Sequence, residues 1–329
     1  MAMQKHRFTR RVLLFRLAPL VVLTAWLNSE CHAADAQKDF FETHQDYMDL
    51  SLFNHSDTYI QYLYKPRHHE AGQTEKTDLS CLYAEADAGA SLDSDTVLYA
   101  DIEYTCKRYH FDDPEDLNRR LGSPTLHQIQ FFMDVEHFFT DELLADWTFS
   151  PCISSDLSHD INQKDFQWTT GPIMSYRLTP HLAMHAGVQA SVDEWHQSVY
   201  PLGGISYFSP DQRIHLNIIA PFMIRVGYTP VETTEYYASA WYSDVDVHAY
   251  LGPAATDSQV KTKDLQAGCG VVRHLTRYLN LTAECGLAFE NSFAIKEDAA
   301  GRQDAGSGVA PYFSLSLGAV FNETRRQFQ

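Results

Sequence analysis

Apart from its N-terminus, the 329-residue sequence lacks any apolar run long enough to cross a membrane as a helix. A helical span needs about 20 consecutive apolar residues. This absence argues against a helical membrane protein. It leaves open a β-barrel, because only alternate residues of a barrel strand face lipid.

Basic residues are also few. The chain has 25 Lys and Arg against 43 Asp and Glu, a formal net charge of −18. This acidity argues against nucleic acid as a partner, since phosphate backbones are bound by positive patches. The sequence also lacks a nucleophile elbow, a phosphate loop, a Cys-x-x-Cys pair and a dinucleotide fingerprint. We therefore predict no cofactor, and an enzyme is the less favoured class.

The first 33 residues are organised like a secretory signal peptide. A basic stretch over 5–11 is followed by an apolar region over 12–27 and by small residues around Ala33. We predict export, with cleavage near Ala33. The polar residues 34–56 follow without a clear period and are predicted to form a periplasmic N-terminal segment.

A predicted hairpin within residues 165–192 shows the unit that the rest of the chain repeats. Apolar side chains alternate with small or polar ones in both arms, as expected for strands with two different faces. Residues 179–181 between the arms have turn composition. In the first arm the apolar face holds Phe166, Trp168, Met174, Tyr176 and Leu178, and the polar face holds Gln167, Thr169, Gly171, Ser175 and Arg177.

The connections between such segments alternate in length, with a tight break at Pro221 as the exception. The short ones are 93–95, 140–144, 179–181, 209–213, 230–234 and 276–278, and the long ones are 66–78, 112–125, 156–164, 193–198, 250–263 and 291–308. Short turns at one rim and long loops at the other are typical of outer-membrane barrels. We predict an all-β, antiparallel, transmembrane up-and-down barrel of about 12–14 strands over 57–321, followed by a C-terminal tail over 322–329.

Alternation alone does not say which face is inside, so a secreted β-sandwich remains an alternative. The barrel is favoured by a polar face rich in Gly, Ser, Thr and charge, and by aromatic residues near strand ends. Predicted lumen-facing residues are Asp101, Glu103, His185, Arg225 and Glu284. Predicted interfacial aromatics are Tyr64, Tyr109, Phe138, Trp147, Trp168, Tyr176, Tyr207, Tyr228 and Tyr278.

The run from Tyr200 to Val226 resembles a family of predicted bacterial outer-membrane β-barrels of unknown function. In that family a strand, a short Ser-containing turn, a second strand and a proline recur in this order. The resemblance spans roughly residues 80–321 and implies a fold and a location, with no catalytic residue. The sequence departs from the usual pattern at its end. Phe321, at the place of the final aromatic, is followed by a tail in which Phe328 is the other candidate assembly signal.

Two pairs of cysteines are predicted to lie opposite each other on adjacent strands. Cys269 and Cys285 are equally distant from Arg277, and Cys81 and Cys106 are equally distant from the middle of the Asp93–Ser94 pair. Opposed cross-strand positions lie within the reach of a disulfide, and the periplasm is oxidising. We therefore predict the disulfides Cys81–Cys106 and Cys269–Cys285, with Cys152 left over.

The sharpest cluster of chemically active residues is Asp244, Asp246 and His248. Because these residues alternate along one strand, they share a face at neighbour spacings of about 7 Å. Such a pattern could bind a metal ion, or it could serve a hydrolase at the rim of the barrel. A solvated polar face explains the same residues without a site.

The function that these observations favour is a passive pore or a structural protein of the bacterial outer membrane. Its expected partners are outer-membrane lipid, the barrel-assembly machinery and small solutes. The alternatives are an outer-membrane hydrolase using Asp244, Asp246 and His248, and a secreted sandwich that binds glycans through its Tyr and Trp residues.

Overall fold

A computed structural model describes residues 58–69, 76–93, 95–111, 125–158, 160–193, 197–251, 256–276, 278–297, 301–304 and 309–319. The predicted signal peptide, the N-terminal segment over 34–56 and the tail over 322–329 lie outside these residues. No helix in the described part of the chain is long and apolar enough to cross a membrane.

The described chain is almost entirely β-strand, with one short 3-10 helix at Gln163–Asp165. The strands are β1 Thr58–His69, β2 Lys76–Ser91, β3 Thr96–Phe111, β4 Thr125–Thr140, β5 Leu143–Ser155, β6 Phe166–Thr179, β7 Leu182–Val192, β8 Gln197–Phe208, β9 Ile214–Ala220, β10 Met223–Val231, β11 Thr234–Leu251, β12 Thr256–Thr276, β13 Leu279–Glu297, β14 Gly301–Asp304 and β15 Ala310–Ala319.

The sheet closes on itself. Consecutive strands pair from β1 to β13, and β15 pairs with both β13 and β1. The short β14 pairs only with the outer end of β13. The wall is therefore a closed antiparallel barrel of fourteen strands, β1–β13 and β15, which confirms the predicted fold class.

The apolar face of each strand points outward. In β15, Phe313, Leu315 and Leu317 are 56%, 55% and 51% exposed, whereas the alternate Tyr312 and Ser316 are 1% and 3% exposed. The same alternation runs around the barrel. A soluble sandwich would bury its apolar set, so the sandwich alternative is wrong. The prediction of Tyr109 as an interfacial aromatic is also wrong, because this side chain is buried on the interior face.

Tight turns close the rim at which β2–β3, β4–β5, β6–β7, β8–β9, β10–β11 and β12–β13 meet. Two of these turns are fixed by an aspartate that accepts hydrogen bonds from its own turn. Asp95 N and Thr96 Oγ1 donate to Asp93, and Ser209 Oγ donates to Asp211. These hydrogen bonds lower the pKa of Asp93 and Asp211 because they favour the ionised carboxylate.

At the opposite rim one connection departs from the pattern of long loops. β9 and β10 have only 7 and 9 residues and are joined through Pro221 and Phe222, whereas β11 has 18. The wall is therefore lower at this hairpin than beside it.

Glycines on the interior face of β12 give space to large rings from β11 and from β15, which lies beyond β13. A Cβ added at Gly270 would come within 2.5 Å of the Tyr237 ring, and one at Gly268 would clash with the Tyr312 hydroxyl. Tyr237 and Tyr312 consequently lie close against the inner wall, and this placement positions both hydroxyls for the network described below.

Candidate functional site

The barrel interior carries a one-sided strip of carboxylates. Four neighbouring strands, β2–β5, place acidic side chains on the interior face in the half nearest the tight turns. We call this strip the acidic wall. Its members are Glu85, Asp87, Asp101, Glu103, Asp134, Glu136 and Asp146.

Like charges face each other across the ladders of the acidic wall. Glu85 is the direct partner of Glu103, and Asp87 is the direct partner of Asp101. One ladder further on, Glu136 faces Asp146. Directly opposed like charges are unfavourable in a sheet. The register therefore concentrates acidic residues in one part of the barrel interior.

The opposite part of the interior, which we call the compensated side, contains opposite charges that contact each other. Arg225 Nη2 lies 2.8 Å from Glu235 Oε1, and the two side chains are 8% and 3% exposed. His215 Nε2 lies 3.3 Å from the same carboxylate oxygen. The Arg225 guanidinium also stacks over the Tyr237 ring at 4.2 Å. This arrangement holds the arginine against the wall.

Three further contacts link strands on this side of the interior, and two of them join strands that are not neighbours. Glu284 accepts hydrogen bonds from the hydroxyls of Tyr237, at 2.6 Å, and of Tyr312. Lys65 Nζ of β1 reaches Asp264 Oδ1 of β12 at 2.7 Å, past β15 and β13. These contacts tie β1, β11–β13 and β15 together on this side of the barrel.

A neutral polar chain lies on β6–β9. His185 Nδ1 is 2.7 Å from Ser175 Oγ, and His185 Nε2 is 2.8 Å from Ser206 Oγ. Ser206 donates in turn to Asn217 at 3.1 Å. Since Ser206 is fully buried, this chain satisfies polar groups inside the wall and offers no accessible nucleophile.

The structure places all five predicted lumen residues on the interior face, but not at one site. Asp101 and Glu103 belong to the acidic wall. Arg225 and Glu284 belong to the compensated side, and His185 belongs to the neutral chain.

Sequence reasoning missed five members of the acidic wall, and it missed both partners of the Lys65–Asp264 pair. The available signal was strand parity. Glu85 and Asp87 share the face of Leu79 and Cys81, opposite the outward Leu82, and Asp134 and Glu136 alternate with outward Met133 and Val135.

The predicted trio Asp244, Asp246 and His248 lies on β11, where the register sets Asp244 opposite Lys263 and Asp246 opposite Lys261. His248 Nδ1 is 2.8 Å from Asp165 Oδ1. Among the side chains that the structure describes, no group of three potential ligands is arranged for a metal ion. Those of Asp244 and Asp246 lie outside them, so the metal site stays a prediction.

The two cysteine pairs differ in register. Cys81 lies opposite Lys107, and Leu82 lies opposite Cys106, so the predicted register is wrong by one residue. Cys81 is buried inside whereas Cys106 shares the outward face of Leu82, which is incompatible with a Cys81–Cys106 disulfide. Cys269 and Cys285 are direct partners and both are exposed on the outer face. None of these four cysteines, nor Cys152, forms a disulfide in this structure.

No protein-family model matches the chain. No curated protein matches it either. Among solved structures it is similar to the NanC porin, with 7% identity, a TM-score of 0.36 and coverage of 80% of this chain and 98% of that one. It is also similar to the KdgM porin, with 6% identity, a TM-score of 0.33 and coverage of 79% and 96%. It is similar as well to the transport unit of the autotransporter AIDA-I from Escherichia coli, with 11% identity, a TM-score of 0.36 and coverage of 85% of this chain and 95% of that one.

Proposed function

We propose that the barrel lies in the bacterial outer membrane and forms a narrow, water-filled, cation-preferring pore for small solutes. The observation that carries this proposal is the acidic wall inside a barrel whose outer surface is apolar. Lipid requires an apolar outer surface. It also requires a closed sheet, because an open edge would leave backbone N–H and C=O groups without partners in the membrane. A polar and charged interior needs water or counter-ions.

The charge of the interior supports a preference for cations. Lys65 and Arg225 each already pair with a carboxylate, Asp264 and Glu235. Lys107 lies on β3 beyond Glu103, on the side away from the tight turns. The acidic wall brings seven carboxylic acids from four neighbouring strands to one part of the interior, and clefts rich in charge of one sign raise the local concentration of the opposite ion.

The proposal also includes how the protein reaches the outer membrane and how it is oriented there. The predicted signal peptide, cleaved near Ala33, would bring the chain to the periplasm, and the barrel-assembly machinery would insert it. The tight turns would then lie on the periplasmic rim and the loops outside. The acidic wall lies next to the tight turns, so it would line the periplasmic half of the pore.

The experiment is the reversal potential of refolded protein in a planar bilayer under a salt gradient. The wild type is expected to prefer cations, and Asp101→Asn/Glu103→Gln is expected to move the reversal potential toward zero. Asp141→Asn/Glu232→Gln is the matched control, because it removes the same two charges from exposed turn residues. Anion preference in the wild type, or an equal shift in both variants, would contradict the proposal.

A further inference from the structure

The outer arm of β11 leaves the barrel wall. The β10–β11 ladder ends at Met223↔Trp241, whereas the β11–β12 ladder continues to Leu251↔Thr256. Because β9 and β10 are short, the other edge of β11 has room to bend away from the wall above them.

This arm reaches the far side of the mouth. His248 forms a parallel bridge with Ser155 at the end of β5. Around the barrel, β5 and β11 are separated by five strands in one direction and by seven in the other. The bridge therefore crosses the opening instead of extending the wall.

The burial pattern agrees with a strand that is covered on both faces. Val247, His248 and Ala249 are 3%, 2% and 0% exposed. A wall strand of this barrel alternates between exposed and buried residues, as β10 does. Three consecutive buried residues thus indicate packing on both sides of the arm.

A side-chain contact fastens the arm at this point. His248 Nδ1 lies 2.8 Å from Asp165 Oδ1, and both residues are buried. The other carboxylate oxygen of Asp165 accepts from Asn162 N at 2.7 Å, and Asn162 Oδ1 accepts from Lys164 N at 2.9 Å. The 3-10 helix that precedes β6 therefore holds the carboxylate in place for the histidine.

We propose that the outer arm of β11 is a lid over the extracellular mouth and that His248, Asp165 and Ser155 are its latch. The inference rests on the proposed pore and adds its regulation. With the latch closed, the arm obstructs the mouth. Release of the latch lets the outer arm of β11, together with the outer arms of β12 and β13 that pair beside it, move away from β5 and opens the path to the acidic wall.

The first test locks the lid. Ser155→Cys/His248→Cys, in a chain whose other cysteines are replaced by alanine, joins two direct bridge partners, whose spacing suits a disulfide. The oxidised form is expected to conduct at a small fraction of the level of the same protein after reduction. The single variant Ser155→Cys is the control and should not respond to reductant.

The second test releases the lid. His248→Ala is expected to raise the open fraction about tenfold, the effect of losing one buried hydrogen bond to a charged group. His185→Ala is the matched control, since it removes another buried histidine whose hydrogen bonds to Ser175 and Ser206 lie within the wall and not at the latch. Heat-modifiable gel migration verifies that each variant has folded as a barrel.

The outcomes separate the lid from the pore. Equal conductance of the oxidised, reduced and His248→Ala proteins would overturn the lid and leave the pore standing. Absence of conductance in every form, the His248→Ala protein included, would overturn the pore and the lid with it.

Discussion

Glu85 of β2 lies directly opposite Glu103 of β3, and both side chains belong to the interior face of the barrel. Two carboxylates at this spacing repel each other. A fold selected for stability alone would place a lysine at one of the two positions. This repulsion lowers the stability of the barrel.

Relief of that repulsion should stabilise the barrel. Glu85→Gln keeps the size of the side chain and removes one charge, so we expect the free energy of unfolding to rise by about 0.2–1 kcal/mol. Urea unfolding of detergent-refolded protein measures the change. In a Glu103→Gln background the same substitution should add nothing, and an equal gain in both backgrounds would show that the two carboxylates do not interact.

Removal of a charge from the compensated side should instead lower the free energy of unfolding. Arg225→Met leaves the Glu235 carboxylate buried without its guanidinium partner. We therefore expect the free energy of unfolding to fall by about 3 kcal/mol. Arg225→Met/Glu235→Gln should recover a large part of that loss. If the double variant were less stable than Arg225→Met, the ion pair would not be the reason for the loss.

The glycine beneath Tyr237 should tolerate no side chain. A Cβ at Gly270 would lie 2.5 Å from the Tyr237 ring and 2.8 Å from the Ala283 carbonyl oxygen. We expect Gly270→Ala to lower the free energy of unfolding by about 1–3 kcal/mol, as the insertion of extra atoms into packed cores does elsewhere. Gly203→Ala is the matched control, because a Cβ there meets nothing within 4 Å. Unfolding midpoints of the two variants should differ clearly, and similar midpoints would contradict the packing described here.

The register of the cysteines predicts one disulfide instead of two. Cys269 and Cys285 are direct partners, so they should oxidise, whereas Cys81, Cys106 and Cys152 should remain thiols. Intact-mass measurement after alkylation, with and without reductant, distinguishes three free thiols from five. Five alkylated cysteines in the unreduced protein would rule the disulfide out.

Parity explains how much of the fold could be predicted from the sequence. In β3 the alternation of Ile102 and Tyr104 with Asp101 and Glu103 predicts a strand with two unlike faces, and the structure has that strand at Thr96–Phe111. Alternation does not say which face is inside. The number of strands followed from counting segments and turns, because each turn reverses the chain.

Two features could not be predicted in the same way. Register depends on the exact centre of a turn, and an error of half a residue at the β2–β3 turn moved Cys81 and Cys106 to opposite faces. Residues 256–263 and 291–297 were predicted as loop because they are polar, yet they belong to β12 and β13. The backbone register of β11 and β12 sets Lys261 and Lys263 opposite Asp246 and Asp244, and opposite charges at such positions are compatible with a strand.

The candidate site was even less visible from the sequence. The acidic wall assembles residues from four strands, and only Asp101 and Glu103 were predicted as lumen residues. His248 was predicted beside two aspartates on its own strand, whereas its partner in the structure, Asp165, is 83 residues away. Contacts across the barrel depend on its closure and shear, which no local pattern encodes.

The most direct measurement compares two adjacent residues of β3. In liposomes containing a chain without its native cysteines, Asp101→Cys and Ile102→Cys are each exposed to a charged, water-soluble thiol reagent and to a lipid-soluble one. The two residues lie on opposite faces of the wall. The Asp101→Cys thiol should react with the charged reagent and the Ile102→Cys thiol with the lipid-soluble one. The reverse pattern would contradict an acidic, water-filled interior inside a lipid-facing barrel.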